Sequence, residues 1–303
     1  MSVSLSNLES VEPEKLRTLL IHFLSHHVAD MEDGAGPQAR AIINSWDDQT
    51  LIDLREKLTT LGNEITLYES HKGCRDVARA WGDHIVTSTD VEGVNHLTDA
   101  LDSGPTLLIC NHLSYFDTTG TDLCLANAGL GDIADKIFAL AGPKVYSDLF
   151  RRYAAACLNT LPVPQSASIG HGAKLSPRDL AKLAIESTKI SAELTKQGRI
   201  PLLYAEGSRS RDGRLQPFLR GVRRYLDVPE LRVVPMVILG SWDVMPVGSG
   251  TLHSAPVKLK FGPAIEIDEV GYKAALDIVH MAVGKLLPDA HKPLIEQTLG
   301  PQE

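Results

Sequence analysis

From about residue 88 onward, short apolar runs alternate with longer amphipathic stretches, and this alternation constrains the fold more than any other feature. The apolar runs predict strands, in chain order TLLIC, KIFAL, NTLPVP, IPLLYA, RVVPMVIL and VKLKF. The stretches between them, such as TTGTDLCLANAG and PRDLAKLAIESTKISAELTKQG, predict helices. Such an alternation is typical of an α/β domain, in which ligands bind beyond the carboxyl ends of the strands. We therefore predict an α/β domain over residues 88–303, with a mixed sheet flanked by helices.

The first 87 residues show no strand pattern and predict helices instead. In EPEKLRTLLIHFLSHHVADM the apolar residues recur at helical spacing. In DDQTLIDLREKLTTLG, Asp47 or Asp48 is a candidate helix N-cap and Gly62 a candidate helix end. CRDVARAWGDHIV predicts a further helix. This part of the chain is expected to form a small helical bundle domain over residues 1–87.

The composition narrows the class of protein. A net charge of −8 argues against extensive binding to nucleic acid or to an anionic membrane surface. No apolar run approaches the roughly 20 residues of a membrane-spanning helix, and the N-terminus lacks the basic and apolar regions of a secretory signal. The four cysteines lack metal-ligand spacing, which is typical of buried thiols in a reducing compartment. We expect a cytoplasmic protein with no metal, no cofactor and no nucleic-acid partner, whose contact with a membrane surface is at most transient and peripheral.

Polar residues directly follow the strand TLLIC, in the segment CNHLSYFD. A histidine and an aspartate at this place are either part of a solvated loop or a base and the group that orients it. The spacing alone does not decide, because His71 and Asp76 in HKGCRD have the same spacing. No strand precedes His71, so a solvated helix start is expected there. His112 and Asp117 lie where α/β folds place catalytic side chains, and we predict that they belong to a catalytic site.

A second polar segment, YAEGSRSRDGRLQPF, follows the strand IPLLYA. Glu206 and Gly207 begin it, and three arginines, Arg209, Arg211 and Arg214, follow within a few residues. Alternate arginines beside a glycine suit a phosphate group, because guanidinium groups offer paired donors and glycine lets backbone N–H groups approach. A solvated basic loop is the alternative. The position beyond a second strand end favours the phosphate site.

These two motifs, in this order, resemble those of the glycerolipid acyltransferase family. That family carries an N-H-x4-D motif, here NHLSYFD, an E-G-T-R-S-type motif, here EGSRSRDG, and a V-P strand, here Val233–Pro235. The matching region runs from about Val91 to Phe261. The helical N-terminal part and the absence of an evident membrane span are most similar to the soluble, plastid-type glycerol-3-phosphate acyltransferases.

The resemblance implies a role for each matching residue. His112 would be the general base, and Asp117 would hold its imidazole. Arg209 and Arg211 would bind the phosphate of the acceptor, with Lys144 as a third cation. Glu206 and Gly207 would shape the acceptor site, and Ser208 would belong to the same substrate-binding segment. Two departures from the family are visible. Ser208 replaces the usual threonine, and LPVPQSAS lacks the basic residues that often follow the strand of the family's second motif, for which His171 or Lys174 could substitute.

The implied activity is O-acyl transfer from acyl-CoA or acyl carrier protein, as co-substrate, to a hydroxyl of glycerol 3-phosphate or lysophosphatidate. A neutral imidazole can remove the proton of the hydroxyl as it attacks the thioester. No G-x-S-x-G nucleophile elbow is present, which favours direct transfer without an acyl-enzyme. Three alternatives remain open on the sequence: thioester hydrolysis with the same His–Asp pair, transfer to a different hydroxyl or amine, and binding of an acyl carrier or phospholipid without catalysis.

Overall fold

The structure, a computed structural model, describes residues 5–29, 31–164 and 176–293. The chain divides into two compact units, each made of several chain segments. The first unit comprises Met1–Thr87, Ala139–Ile190 and Gly250–Ser254. The second unit comprises Ser88–Phe138, Ser191–Ser249 and Ala255–Glu303.

Four helices form the N-terminal part of the first unit: α1 (Pro13–His26), α2 (Pro37–Ser45), α3 (Asp48–Thr60) and α4 (Lys72–Ile85). Their apolar residues recur every three or four positions, so that Leu16, Leu20 and Leu24 of α1 are buried together. Asp47 caps α3, because its carboxylate accepts from the backbone N–H of Thr50 at 2.8 Å. The helical character predicted for this region is confirmed.

A later part of the chain completes the first unit. It contains a 3₁₀ turn (Pro143–Tyr146), α8 (Leu149–Ala156), β4 (Asn159–Pro162) and the first part of α9 (Pro177–Lys196). Tyr68 and Thr160 exchange two backbone hydrogen bonds of 2.9 Å, and His71 N donates to Ala156 O at 2.8 Å. Because of these contacts the first unit is not one continuous stretch, and it differs in this respect from the predicted domain of residues 1–87.

The strands of the second unit form a mixed sheet. Five of them pair in the order β1-β7-β6-β2-β5. Their bounds are β1 (Thr89–Glu92), β2 (Thr106–Cys110), β5 (Ile200–Tyr204), β6 (Arg232–Leu239) and β7 (Val257–Phe261), while β3 (Ile137–Ala141) starts in this unit and β8 (Ile265–Glu266) pairs with β6. β2 runs parallel to β5 and β6, whereas β6 and β7 are antiparallel. The predicted fold class is confirmed.

Helices cover this sheet, and β2 is buried along its whole length. α6 contacts β1, β6 and β7, while α5 and α12 both contact β6. The last part of α9 belongs to the second unit. The α-helices that lie wholly in this unit are α5 (Val94–Ser103), α6 (Asp117–Asn127), α7 (Gly131–Ala134), α10 (Ser241–Val244), α11 (Ile267–Val270) and α12 (Tyr272–Leu286). Among the helices of the described residues, none combines the length and the apolar composition that crossing a bilayer requires.

The register of β2 and β5 positions the candidate site. Leu108 lies opposite Leu202, and Cys110 lies opposite Tyr204, so the two parallel strands end at the same level. The chain segments that leave these strands begin side by side at the carboxyl edge of the sheet. They are the two segments in which the sequence predicts catalytic and phosphate-binding residues.

Candidate active site

His112 and Asp117 form a hydrogen-bonded pair in the segment after β2. The Nδ1 atom of His112 lies 2.7 Å from Oδ2 of Asp117. The side chain of His112 is 18% exposed, whereas that of Asp117 is 1% exposed. An imidazole that donates its Nδ1 proton to a carboxylate carries its lone pair on Nε2. The pair therefore has the geometry of a base held in one tautomer by a buried carboxylate.

The backbone around Asp117 fixes its carboxylate. Asp117 is the first residue of α6, and its Oδ2 atom also accepts from the backbone N–H groups of Leu113 at 2.8 Å and Ser114 at 3.0 Å. The hydroxyl of Ser114 donates to the carbonyl of Met245 at 2.7 Å. Backbone donors favour the ionised form of a carboxylate and hold its direction. The loop can therefore present a fixed acceptor to the imidazole.

Asn111 anchors the start of this loop, a role that we did not predict from the sequence. Its amide donates to the carbonyl of Ile238 at 3.0 Å, and its side-chain oxygen accepts from Ile238 N at 2.8 Å. The buried side chain thus imitates a backbone strand partner at the point where β2 ends. The chain can then turn away from the sheet at His112 without leaving the backbone groups of Ile238 unpaired.

The loop after β5 forms hydrogen bonds with both the N–H and the C=O group of His112. The Oε1 atom of Glu206 accepts from His112 N at 2.6 Å, and Ser210 N donates to His112 O at 2.8 Å. The other carboxylate oxygen of Glu206 accepts from Gln216 N at 2.8 Å. Glu206 therefore joins the two loops through backbone groups. Its predicted part in shaping the acceptor site stays a prediction, and this contact gives it a positioning role.

The Glu206 carboxyl is buried in an acidic environment. Burial raises its pKa to about 8, and the nearby charge of Asp117 acts in the same direction, while the backbone donors of Gln216 and His112 lower it. The Cys110 thiol, one residue before the loop, also has a raised pKa, chiefly because of burial. Burial therefore makes both the Glu206 carboxyl and the Cys110 thiol resist ionisation.

Gly207 adopts a backbone conformation that only glycine accepts easily, with φ of +72°. A Cβ atom at this position would lie 2.2 Å from Cδ1 of Leu219, so the side chain of Leu219 packs directly against the glycine. The glycine lets the chain turn sharply between the buried Glu206 and the exposed Ser208. This is the structural reason for a glycine in the motif.

The three arginines of the second motif have different surroundings. The guanidinium carbon of Arg209 lies 3.6 Å from the centre of the Tyr115 ring, so Arg209 stacks on the loop that carries His112. Arg211 is exposed. Arg214 donates to the carbonyls of Lys292 at 3.0 Å and Asp289 at 3.4 Å, and so it holds the segment of residues 289–292. Arg209 is the arginine that the structure brings to the His112 loop.

Lys144 belongs to the first unit, in the 3₁₀ turn Pro143–Tyr146. Its carbonyl accepts from the hydroxyl of Ser147 at 2.9 Å. A contact between Lys144 and the acceptor stays a prediction. His171 and Lys174, which could replace the missing cations of the family's second motif, lie outside the described residues.

The second His-x4-Asp pair, His71 and Asp76, has a structural role at the start of α4. His71 is the N-cap of α4, where its Nδ1 atom accepts from Cys74 N at 3.3 Å. Burial lowers the pKa of His71, which favours the neutral imidazole that can accept this bond. Asp76 is exposed on α4. The prediction of a helix start at His71 is confirmed, although the residue is partly buried rather than fully solvated.

Residues 88–239, about half of the chain, match the Acyltransferase family. The chain therefore belongs to this family, and the predicted resemblance is confirmed. It is similar to proteins named 1-acyl-sn-glycerol-3-phosphate acyltransferase from Limnanthes douglasii (30% identity; 37% of this chain, 41% of the relative) and Cocos nucifera (30% identity; 38% of each chain). It is also similar to the chloroplastic enzyme BAT2 of the same name from Brassica napus (27% identity; 56% of this chain, 43% of the relative).

The chain thus spans about two fifths of the length of these curated relatives. Among solved structures, it is similar to the 1-acyl-sn-glycerophosphate acyltransferase PlsC from Thermotoga maritima. That similarity covers 93% of both chains at 16% identity, with a TM-score of 0.46.

Proposed function

We propose that the protein transfers a fatty acyl group from an acyl thioester to the free hydroxyl of 1-acyl-sn-glycerol 3-phosphate, also called lysophosphatidate. The observation that carries the proposal is the 2.7 Å hydrogen bond between His112 and the buried Asp117. This pair follows β2, and the arginine loop, the segment after β5 that carries Arg209 and Arg211, begins beside it. Membership of the Acyltransferase family supports the reaction type. The names of the relatives support lysophosphatidate over glycerol 3-phosphate as the acceptor.

In the proposed mechanism, Nε2 of His112 takes the proton of the acceptor hydroxyl as its oxygen attacks the thioester carbonyl. A C–O bond forms, the C–S bond of the collapsing intermediate breaks, and the thiolate leaves with the proton returned from the imidazolium. Asp117 does not take a proton; it stabilises the imidazolium through the bond to Nδ1. The products are the diacylated phosphate ester and the free thiol of the carrier.

The acceptor phosphate would be bound by the arginine loop. The guanidinium carbon of Arg209 lies over the Tyr115 ring, and the guanidinium N–H groups would donate to the phosphate. Arg211, exposed two residues later, would supply the second cation. A phosphate held there would place the glycerol backbone beside the loop of His112, because Ser210, between the two arginines, is bonded to the carbonyl of His112.

The acyl donor would be a thioester of phosphopantetheine, carried by coenzyme A or by acyl carrier protein. The reaction needs only the thioester carbonyl, so the mechanism is the same for both carriers. The donor also supplies the energy for transfer, and no cofactor enters the mechanism.

The experiment offers one radiolabelled acyl group, as acyl-CoA and as acyl carrier protein, to four acceptors: lysophosphatidate, glycerol 3-phosphate, dihydroxyacetone phosphate and water. We expect labelled phosphatidate from lysophosphatidate with at least one donor, and thiol release that depends on the acceptor. Thiol release without acceptor would make the protein a thioester hydrolase. Binding of donor without any turnover would make it a binding protein.

A second readout tests the direct attack. Enzyme mixed with donor alone should show no added acyl mass by intact-protein mass spectrometry. Asp117→Asn should lose most of the activity, and its effect should not add to that of His112→Ala, because both residues serve one proton transfer. A covalent acyl adduct that goes on to product would contradict the proposed mechanism.

A further inference from the structure

Tyr204, the last residue of β5, stacks on the imidazole of His112. The two ring centroids are 4.3 Å apart and the ring planes are inclined by 23°. This contact follows from the register of the sheet, because Tyr204 lies opposite Cys110, two residues before His112. The sequence gives no direct signal for it, since the two residues are distant in the chain and belong to different motifs.

The far end of the Tyr204 ring is also held. Its hydroxyl lies 2.9 Å from the hydroxyl of Thr118, the residue that follows Asp117. The ring is thus fixed to the imidazole at its face and to the start of α6 at its tip. Burial raises the pKa of Tyr204 well above its usual range, with the charge of Asp117 acting in the same direction. Tyr204 therefore remains a neutral ring over the pH range of ordinary assays.

One hydrogen bond to Asp117 fixes the direction of Nδ1 but leaves the imidazole free to tilt about that bond. A stacked ring removes this freedom, because a tilt would break the contact between the two faces. The negative face of an aromatic ring also attracts a cation, so the imidazolium formed during proton transfer is stabilised over it. The charged and titratable groups around this stack are Asp117 at Nδ1, Glu206 at the His112 backbone, and the Cys110 thiol.

We propose that Tyr204 is a positioning residue for the reaction: its ring holds the plane of the His112 imidazole so that Nε2 faces the acceptor hydroxyl. This inference rests on the proposed function of His112 as the base. Tyr204 acts through His112 and takes no part in bond making or bond breaking. The aromatic ring, rather than the hydroxyl, carries the effect, because the ring makes the contact with the imidazole.

The test compares Tyr204→Leu, which removes the ring, with Tyr204→Phe, which keeps it. Tyr204→Leu should lower kcat about 2- to 13-fold, the equivalent of the 0.5–1.5 kcal/mol that an aromatic pair typically contributes. The KM values for donor and acceptor should stay within twofold. Tyr204→Phe should keep both kcat and KM within about twofold of the wild type. Tyr272→Leu, a change of an exposed tyrosine on α12, is the matched control and should have no effect.

A second measurement does not depend on activity. In the free enzyme, the ring current of Tyr204 should shift the imidazole proton resonances of His112 upfield, and His112→Ala identifies those resonances by their loss. The upfield shift should persist in Tyr204→Phe and vanish in Tyr204→Leu. If Tyr204→Leu does not fold, Tyr204→Met, which fills the space with a flexible apolar chain, replaces it.

The two measurements separate the two claims. A wild-type protein that shows the upfield shift but transfers no acyl group would refute the proposed function and leave the stack standing. Resonances of His112 that do not move in Tyr204→Leu would overturn the stack itself. If the shift is lost but kcat stays within twofold of the wild type, Tyr204 does not position the base.

Discussion

Glu206 couples the stability of the protein to pH in a direction that is unusual for an acidic residue. Burial raises its pKa in the folded protein to about 8, from 4.5 for the unperturbed side chain. Between these two values the folded protein keeps a proton that the unfolded chain has released. By linkage, the contribution of Glu206 to stability is fully present below pH 4.5 and is lost as the pH rises to about 8.

The magnitude follows from the two pKa values. Each pKa unit corresponds to about 1.36 kcal/mol, so the change from 4.5 to about 8 corresponds to about 5 kcal/mol over the whole window. Glu206→Gln removes the titration. Its amide would point an N–H at the backbone N–H of His112 or of Gln216. We therefore expect Glu206→Gln to be about 1–3 kcal/mol less stable than the wild type with a protonated Glu206, and the stability of the variant itself does not depend on this titration.

The assay is urea unfolding of the wild type and of Glu206→Gln at several pH values between 5 and 8. The wild type should be the more stable protein at the low end of this range. Its advantage should shrink by up to about 1.4 kcal/mol per pH unit and then reverse, so that Glu206→Gln is the more stable protein near pH 8. His71 and His280, whose pKa values burial lowers, titrate in both proteins and cancel. Glu269→Gln, at an exposed position of α11, should run parallel to the wild type. Parallel curves for wild type and Glu206→Gln would refute the raised pKa.

Three further predictions concern the second motif and the Tyr115 ring that Arg209 contacts. Arg209→Ala should raise the acceptor KM about 10- to 150-fold and leave the donor KM little changed. Arg214→Ala should leave the acceptor KM unchanged, and equal effects of the two variants would show that Arg209 does not bind the acceptor phosphate. Tyr115→Leu should raise the acceptor KM about 2- to 5-fold, and Tyr115→Phe should leave it unchanged. Identical kinetics of the two variants would show that the contact between Tyr115 and Arg209 does not contribute to acceptor binding. Gly207→Ala should lower the unfolding free energy by about 1–3 kcal/mol, and by more than Gly213→Ala, where the space is open to 3.6 Å; the reverse order would contradict the packing described for Gly207.

The strands and helices were predictable where their patterns are long. The six predicted strands correspond to β2 through β7. Most of them are short apolar runs bounded by polar or turn residues, and β7 alternates apolar residues with lysines. β1, with the sequence TDVE, was not predicted because it lies at the edge of the sheet and alternates partly exposed with exposed residues. β8 has two residues, too few to show any pattern.

The sequence allowed us to predict which residues form the candidate site, but not the contacts between them. The position of His112 after a strand separated it from His71, because a parallel sheet brings strand ends together. The contacts of Asn111 with Ile238, of Glu206 with the His112 backbone, and of Tyr204 with the imidazole depend on the register between distant strands. The spacing of residues along the chain contains no information on that register. The division of the chain into units depends in the same way on long-range contacts.

The central claim is that His112 is the base of an acyl transfer to lysophosphatidate. The most direct measurement is kcat for transfer from acyl-CoA or acyl carrier protein to lysophosphatidate by His112→Ala, with His71→Ala as the matched control and urea unfolding to verify the fold. We predict a loss of about 10²- to 10⁴-fold for His112→Ala, the range of general base catalysis, and turnover within a few-fold of the wild type for His71→Ala. A folded His112→Ala variant with near-normal turnover would contradict the account.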